Sequence, residues 1–399
     1  MKSRKQKTQK KKQKYVTRTV HVFLDVDDDT LQRICDTRDT YAAIFNEHAS
    51  WAKAHHSTNV KLAHAQLYMH TRNTYPLLPA AMIQCARNHA FGAVKSYNAN
   101  NPDNKWEKDI RYTASSMLYD RRTVSLNTHG VFTFSLQGGS RGKAHVGIPR
   151  FFTDRYGDWK FNSASIGIDR NGRAFANLSF RRFTPPKRTH GHVVGIDRGI
   201  YNIAATSQGA LFSSKKVRGR KRQLQHNRAT LQAKVARGSR SAKRRLDAQR
   251  GKDARFSKNV LHSITKQLAD AADVRVYVLE DLTGLYQKRY SKQFHKLRNT
   301  WAPTTFEYML TYKCAAQGIE VVYIDPRYTS QRCNAYGRIE KKNRNGSKYT
   351  CCHCGYTAHA DINAAYNIRD TYLSTLPVTH SVVQGVCQSP DDALTHLSN

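Results

Sequence analysis

The sequence predicts an α+β protein of several domains, and three observations predict it. Helical periodicity occupies residues 29–97, short alternating runs with Gly and Asn turns occupy residues 110–186, and apolar strands alternate with helices from residue 192 onward. The length of 399 residues is enough for two or three domains of ordinary size. We therefore expect a small N-terminal β-barrel that carries a helical insert, followed by an α/β domain.

The N-terminal half begins with a basic arm. Residues 1–14 hold eight Lys or Arg and no acidic residue, a composition that predicts disorder until the arm meets a phosphate backbone. Residues 17–26 alternate as a strand does. Apolar residues at helical spacing then predict three helices and a following polar loop, over residues 29–54, 62–70, 80–97 and 98–108.

Strand and turn signals follow the helical block. Two short β-like runs cover residues 123–126 and 131–136. Two longer runs, 164–168 and 174–180, flank Asp169-Arg-Asn-Gly-Arg173, which is a strong hairpin signal. Several short strands separated by such turns are typical of a small barrel. The pair Pro185-Pro186 then predicts a domain boundary.

The C-terminal half has an α/β order. Two strands are predicted within residues 193–206, and residues 215–258 are predicted to form a helical hairpin with a narrow apolar stripe. A helix, a buried strand, a helix and a strand follow, over residues 260–272, 274–279, 301–317 and 319–324. The order strand, strand, basic helices, strand, helix, strand predicts an RNase-H-like core.

The charge of the chain predicts a polyanionic partner. Lys and Arg total 66 against 29 Asp and Glu, for a net charge of +37. Phosphate neutralisation with counterion release dominates nucleic-acid affinity, so this excess favours a nucleic-acid protein. The alternative is a ribosome-associated or chromatin-like protein that binds nucleic acid non-specifically through its charge. A membrane partner is not expected, because no apolar run reaches the ~18 residues of a transmembrane helix and no signal-peptide core follows the N-terminus.

The basic hairpin is the predicted nucleic-acid surface. Residues 215–258 hold 17 Lys or Arg against only two acidic residues, whereas a solvated helix surface usually mixes both signs. We expect phosphate contacts from Lys215, Lys216, Arg218, Arg220, Lys221, Arg222, Arg237, Lys243, Arg244 and Arg245.

Three isolated carboxylates form the predicted catalytic site. Asp197 and Glu280 each end an apolar strand, and Asp361 opens a helix after a cysteine cluster. Taken singly, each is explained by a turn, a strand exit or a helix N-terminus. Together in a basic chain they predict a Mg²⁺ site, since Mg²⁺ prefers oxygen ligands, and a two-metal site would clamp a phosphodiester. Asn202 and Asn363 either have a direct role, in which they orient these ligands or bind the scissile strand, or they fix turns.

The eight cysteines predict a metal site rather than disulfides. Cys351 and Cys354 form a Cys-x-x-Cys turn, and Cys333 is the expected partner, as in a zinc ribbon from a reducing compartment. The fourth cysteine position holds Tyr336, so zinc binding stays open at this point. The candidates for a substitute ligand are Cys352, His353 and His359. The alternative is a set of buried free cysteines.

With these residues in hand, the chain resembles the TnpB (OrfB) family encoded by insertion sequences, which is related to compact type V CRISPR effectors. The resemblance covers residues 192–369 best. It rests on Gly195-Ile-Asp-Arg-Gly199, Asn202, Leu279-Glu-Asp-Leu282, Trp301, Tyr312-Lys313, Tyr328-Thr-Ser-Gln331, Cys333, Cys351–Tyr356 and His359–Ala365. Tyr336 and the long basic arm depart from the family pattern.

The resemblance implies an RNA-guided DNA endonuclease, a metal-dependent phosphodiester hydrolase of a transposable element. Its RuvC-type site would be Asp197, Glu280 and Asp361, and its partners a guide RNA and double-stranded DNA with a short adjacent motif. The alternatives are an RNA-guided DNA-binding repressor or transposition accessory without cleavage, and an unguided RNase-H-like resolvase or transposase. A cytoplasmic, nucleoid-associated location in a prokaryote or virus is expected.

The predicted domain division follows from the same resemblance. A wedge-like barrel would combine residues 17–28 and 110–186, and a RuvC-like nuclease domain would combine residues 187–328 and 358–372. The remaining segments are the arm (1–16), the helical recognition insert (29–109), the zinc-ribbon-like target-nucleic-acid-binding insert (329–357) and the tail (373–399).

Overall fold

The computed structural model describes residues 15–113, 116–282 and 303–376. The chain divides into two compact units, with the boundary between Phe183 and Thr184, one residue before the predicted boundary at Pro185-Pro186. Most of the predicted arm and tail, and the first two residues of the helix predicted over 301–317, lie outside the described residues. The finer domain division stays a prediction.

Three helices form one part of the N-terminal unit. Helix α1 (Asp28–Ala54) begins after Asp27, whose carboxylate accepts a hydrogen bond from the amide of Thr30. Asn59 caps helix α2 (Val60–Thr74) in the same way, and helix α3 (Ala80–Asn100) follows Pro79. The three predicted helices are confirmed. The predicted loop from residue 98 is wrong at its start, because Asn98 is buried and α3 continues to Asn100.

Two antiparallel sheets form the rest of this unit. The larger has the strand order β1 (Tyr15–Phe23), β7 (Ala174–Phe183), β6 (Lys160–Ile168), β2 (Ser116–Tyr119), and the smaller joins three consecutive strands. Asp169 closes the predicted hairpin between β6 and β7, since its carboxylate accepts the amides of Asn171 and Arg173. Pairing among the described strands gives two separate sheets, and the barrel stays a prediction. The elements are β1 (Tyr15–Phe23), β2 (Ser116–Tyr119), β3 (Val124–Leu126), β4 (Val131–Ser135), β5 (Arg141–His145), α4 (Arg150–Tyr156), β6 (Lys160–Ile168) and β7 (Ala174–Phe183).

A five-stranded mixed sheet is the centre of the C-terminal unit. Its strands are β8 (His192–Asp197), β9 (Asn202–Thr206), β10 (Leu211–Ser213), β11 (Val274–Glu280) and β12 (Glu320–Ile324). The order is β10-β9-β8-β11-β12, and β8, β11 and β12 run parallel. Apolar side chains such as Ile196, Leu279 and Phe306 pack into one buried cluster on this sheet.

The basic segment and the helix after it form three helices, as the predicted hairpin followed by a separate helix requires, but the hairpin ends earlier than predicted. They are α5 (Lys215–Ala236), α6 (Arg240–Ala248) and α7 (Lys252–Ala269). Gly238, with a φ of 85°, lies in the turn between α5 and α6, as a hairpin needs. The predicted end of the hairpin is wrong because Gly251 adopts a positive φ of 75° and ends the helical path there. Helix α7 thus begins eight residues before the predicted Val260, and its face bearing Leu261, Ile264 and Leu268 is buried.

The last elements are a small insert and one helix. Helix α8 (Pro303–Ala315) precedes β12, and the insert pairs β13 (Arg344–Asn345), β14 (Lys348–Thr350) and β15 (Thr357–His359). Helix α9 (Ala360–Leu373) follows directly and packs on β8. Within the described residues, no helix is both long and apolar enough to cross a membrane.

Candidate active site and cysteine cluster

Two of the three predicted carboxylates end neighbouring parallel strands. In the ladder between β8 and β11, Ile196 lies opposite Leu279, so the next residues, Asp197 and Glu280, emerge at the same edge of the sheet. Ligand-binding residues commonly lie at the carboxyl ends of parallel strands, where the backbone gives way to loops. The strand pairing therefore brings together two acids that are 83 residues apart in sequence.

Helix α9 brings the third carboxylate to the same place. A Cβ atom on Gly195 would lie 2.0 Å from the carbonyl oxygen of Ala365, so only glycine allows the helix to approach β8 this closely. Ala364 and Ala365 are fully buried at this contact. Asp361 stands in the first turn of α9, and it is buried. The small residues of the motif His359–Ala365 thus serve the close packing that places Asp361.

Hydrogen bonds fix two of the three carboxylates. The side-chain nitrogen Nδ2 of Asn202 donates to Asp361 Oδ2 at 2.8 Å, and Arg344 Nη2 donates to Asp361 Oδ1 at 2.7 Å. The hydroxyl of Thr329 donates to Glu280 Oε1 at 2.5 Å. Asn202 therefore orients a carboxylate, which was one of its two predicted roles.

The carboxylates repel one another in a poorly solvated site. Burial, followed by the charges of Glu280 and Asp361, raises the pKa of Asp197 to about 8. Burial also raises the pKa of Glu280. The guanidinium of Arg344 opposes both shifts, because it favours the charged carboxylates. A metal-free site thus holds a proton near neutral pH, and a cation would relieve the repulsion.

A buried arginine fixes the end of β11. Arg198 Nη2 donates to the carbonyl of Glu280 at 2.6 Å, and Nη1 pairs with the carboxylate of Glu307 at 3.0 Å. The Arg198 side chain is 1% exposed, so this ion pair is almost fully removed from water. Losing one partner would leave an uncompensated buried charge, which is strongly unfavourable. Arg198 therefore ties the loop after Asp197 to the strand that ends at Glu280.

Two asparagines of α9 hold the segment that leads into the insert. Asn363 donates to the carbonyl of Arg332 and accepts the amide of Asn334, and Asn367 donates to the carbonyls of Thr329 and Arg332. Asn363 therefore fixes a turn, the second of its predicted roles. The sequence prediction missed Thr329 and Arg344. Thr329 lies within the quoted motif Tyr328-Thr-Ser-Gln331, but Arg344 carries no local signal.

The cysteine cluster is built from two matching turns. The amide of Cys333 donates to Arg338 O, and the amide of Gly337 donates to Cys333 O. In the second turn the amide of Cys351 donates to Tyr356 O, and that of Gly355 donates to Cys351 O. Both glycines adopt positive φ, at 81° and 74°. The turns are equivalent, and Tyr336 occupies in the first the position that Cys354 occupies in the second.

Three thiols of these turns converge. The sulfur atoms of Cys333, Cys351 and Cys354 lie within 4.8 Å of one another, a separation that fits three ligands of one tetrahedral ion. Hydrogen bonds from the amides of Cys354 and then His353 lower the pKa of Cys351 to about 7. Burial raises the pKa of Cys333.

The structure gives no support to the predicted substitute ligands. In the described part of the chain, none of Cys352, His353 and His359 joins the group of three thiols. The ring of His353 lies against that of Tyr336 with centroids 4.6 Å apart, and His359 Nδ1 accepts the amide of Asp361. A metal ion held here would have three protein thiolates and one further position.

The predicted phosphate-contacting residues lie on α5 and α6, and on the turn between them. Eight of the ten side chains are exposed, and Arg218 and Lys221 are half-buried. The guanidinium of Arg218 lies 4.5 Å from the ring centroid of Tyr201, in the loop after Asp197. This contact joins the start of the basic helices to the loop of the first carboxylate.

The chain matches two family models, both beyond residue 165. Residues 166–289 match OrfB_IS605, described as "Probable transposase", and residues 304–368 match the Cas12f1-like TNB domain. A TnpB-like protein of Methanocaldococcus jannaschii is 25% identical over 224 residues, which is 53% of this chain and 80% of that protein. The predicted resemblance to the TnpB (OrfB) family is confirmed.

Relatives of the TnpB family include proteins named as nucleases. The CRISPR-associated endodeoxyribonuclease Cas12f1 of Sulfoacidibacillus thermotolerans is 31% identical over 225 residues, 52% of each chain. The chain spans about half the length of the first curated relatives that it matches. A cryo-EM structure of a Cas12f1–sgRNA–target DNA complex superposes with a TM-score of 0.65 at 13% identity, covering 90% of this chain and 99% of that one. This likeness confirms the α+β multidomain fold.

Proposed function

We propose that the protein is an RNA-guided DNA endonuclease of a transposable element, and that Asp197, Glu280 and Asp361 form its catalytic site. The convergence of these three acids at one sheet edge is the observation that carries the proposal. The proposal includes the finer fold: an RNase-H-like, RuvC-type domain with a zinc-ribbon-like insert, after a barrel with a helical insert. The sheet order and the paired cysteine turns support it.

The carboxylates suit a divalent cation such as Mg²⁺. They are hard oxygen ligands, and a small divalent cation between them would offset the repulsion among their negative charges. When bound, Mg²⁺ supplies positive charge that polarises a phosphodiester and lowers the pKa of water. Within the chain, Thr329 orients Glu280 and Asn202 orients Asp361. Arg198 keeps the two strand ends in register through the carbonyl of Glu280.

The partners follow from charge and from the named relatives. The basic side chains of α5 and α6 would hold nucleic-acid phosphates, which fix position without reading sequence. The Cas12f1 structure contains a guide RNA and target DNA, and the related Cas12f1 protein is named an endodeoxyribonuclease. For this chain we propose a guide RNA that reads the target by base pairing and duplex DNA with an adjacent motif. These partners place the protein at the nucleoid.

The experiment begins with RNA bound to the purified full-length protein. That RNA is sequenced, and its variable end is replaced by a sequence that matches a plasmid library with randomised flanking DNA. We expect cleavage in Mg²⁺ only where guide and target match, with enrichment of one flanking motif. The controls are a mismatched guide and the Asp197→Ala protein.

The same experiment separates the other functions. Cleavage that ignores the guide would indicate an unguided resolvase or transposase, the class to which the family description "Probable transposase" points. Guided binding without cleavage by the wild-type protein would indicate a DNA-binding repressor. A protein that purifies without RNA and gains no activity from added RNA would refute the guided mechanism.

A further inference from the structure

Tyr328 has an unfavourable backbone conformation. Its φ is +64°, in the left-handed region that bulky L-residues rarely adopt. Among the described residues, only His56 and Trp106 are other non-glycine positions with positive φ. Residues held in such conformations cluster at functional sites, so an observed outlier justifies asking what the side chain does.

Packing explains one of the other two outliers and contributes to the second. The ring of Trp106 packs against the apolar cluster that contains Phe45 and Phe91, and its amide donates to Asn98. The ring of His56 stacks on that of Trp106, with centroids 5.8 Å apart. In this region, side-chain contacts offset the backbone cost.

No comparable contact accompanies Tyr328. The residue is 56% exposed. Among the described residues, its ring packs against no other aromatic ring and its hydroxyl forms no hydrogen bond. The turn is held by the carbonyl of Tyr328, which accepts the amides of Gln331 and Arg332. A glycine or asparagine would make the same main-chain bonds at lower conformational cost. The fold therefore does not require the aromatic ring.

Tyr328 adjoins the catalytic carboxylates. The next residue, Thr329, donates to Glu280 Oε1, and the carbonyl of Thr329 accepts from Asn367. The neighbouring side chain of Arg327 is 79% exposed and its guanidinium pairs with the carboxylate of Asp325 at 2.8 Å, and the side chain of Arg332 is exposed. An exposed aromatic ring between exposed cations is the combination that binds single-stranded nucleic acid, because every base has a face on which an aromatic ring stacks.

We propose that Tyr328 stacks on a base of the DNA strand that enters the carboxylate site, and so positions the scissile phosphate. The inference rests on the proposed nuclease function. The ring is a binding group, and the turn that costs backbone energy keeps Tyr328 next to Thr329, which holds Glu280. Stacking tolerates any base, so Tyr328 contributes affinity and position without sequence preference.

The test measures binding and stacking separately from cleavage. The full-length protein is titrated with a short oligo-dT that contains one 2-aminopurine, with Ca²⁺ in place of Mg²⁺, across a range of salt concentrations. We expect Tyr328→Asn to weaken binding about tenfold or more and to lose the quenching of 2-aminopurine at one register of the oligonucleotide. The log–log salt plot should shift in parallel, because no phosphate contact is lost.

Matched variants separate the ring from the backbone. Tyr328→Phe keeps the ring and should retain binding and quenching, whereas Tyr328→Gly should behave like Tyr328→Asn. Both Asn and Gly accept positive φ, so their unfolding temperatures should equal or exceed that of the wild type. Tyr308→Ala removes another tyrosine that is 70% exposed, on the ordinary backbone of α8, and should leave quenching unchanged.

The outcomes distinguish this inference from the proposed function. The stacking role would be overturned if Tyr328→Asn bound and quenched as well as the wild type does. It would also be overturned if Tyr328→Phe lost both binding and quenching. A changed salt slope in Tyr328→Asn would also overturn it, since the residue would then affect phosphate contacts. Asp197→Ala should still bind and quench, and a wild-type protein that binds but never cuts refutes the nuclease proposal while leaving the stacking result valid.

Discussion

The carboxylate site and the cysteine cluster are both metal-site candidates, but the protein shifts the pKa of one ligand of each, Asp197 and Cys351, in opposite directions. Burial and like charge raise the pKa of Asp197 to about 8, so that ligand tends to keep its proton. Backbone amides lower the pKa of Cys351 to about 7, so that ligand tends to lose its proton. Cys351 is thus prepared for a metal ion before binding, whereas burial raises the pKa of Cys333 as it does that of Asp197, so these two ligands must give up a proton when a metal ion binds.

Arg344 links the two regions. It lies on β13 of the insert, opposite Tyr349 of β14, and Tyr349 is fully buried beside Cys333 and Cys351. The side chain of Arg344 donates to Asp361 in the carboxylate site. The insert that carries the three thiols thus supplies a positive charge to the carboxylates. Changes in the cysteine cluster should therefore reach the carboxylate site through this strand pair.

The largest expected effect is the loss of a carboxylate. Asp197→Ala, Glu280→Ala and Asp361→Ala should each reduce DNA cleavage by at least about a thousandfold, because each removes a metal ligand worth several kcal/mol. Guide and target binding should persist, since the basic helices are unchanged. Single-turnover cleavage and filter binding measure the two effects. Asp154→Ala, at an exposed position on α4 of the N-terminal unit, is the control and should cut normally.

The cysteine cluster should respond to a change in its fourth position. We expect about one zinc ion per chain by elemental analysis, and less in Cys351→Ser. Tyr336→Cys should increase zinc retention against a chelator, because the two turns have the same hydrogen bonds and the new thiol would complete four ligands.

Cys352→Ser is the matched control for this cluster, because Cys352 is exposed and outside the group of three thiols. Its zinc content should equal that of the wild type. Full cleavage by a protein that contains no zinc would show that the insert needs no metal ion to present Arg344.

Local pattern and charge allowed most of the site to be predicted. Asp197 and Glu280 end apolar strands, and Asp361 follows the cysteines, so each lies where a sequence pattern changes. Arg344 and Thr329 could not be assigned a role this way. Their roles depend on a strand pair in the insert and on the asparagines of α9, which are contacts between distant segments.

The fold shows the same limit. Periodicity located four of the five strands of the central sheet and the three N-terminal helices, because buried faces impose it, but the short edge strand β10 was not predicted. It did not locate the break at Gly251, because the charged residues around that glycine have no apolar period to interrupt. The position of Asp361 beside Asp197 likewise depends on tertiary packing, because the backbone of α9 lies against Gly195 of β8.

The pH dependence of stability should expose the strain in the carboxylate site. The folded-state pKa of Asp197 is raised from 3.8 to about 8, so the folded protein binds the extra proton and loses relative stability as pH rises across that range. Without added Mg²⁺ at pH 8, Asp197→Asn should therefore have a higher unfolding temperature than the wild type, and a free energy of unfolding larger by about a few kcal/mol. At pH 5 both differences should be much smaller. Mg²⁺ should narrow the gap at pH 8. An equal gap at both pH values would contradict the raised pKa.

The smallest effect should come from Arg344, whose guanidinium lies 2.7 Å from a carboxylate oxygen of Asp361 and competes with any cation for that charge. Arg344→Gln should therefore bind Mg²⁺ more tightly, by roughly tenfold for a screened interaction of about 1 to 2 kcal/mol. The comparison belongs at pH 9, where Asp197 is ionised, because Arg344 also lowers the pKa of Asp197 and its loss would favour the proton at pH 7. Mg²⁺-dependent thermal shifts measure the affinity, and Arg338→Gln, which loses only a surface pair with Glu340, is the control in the same insert. Unchanged or weaker Mg²⁺ binding in Arg344→Gln would show that the arginine organises the carboxylates for the metal ion instead of competing with it.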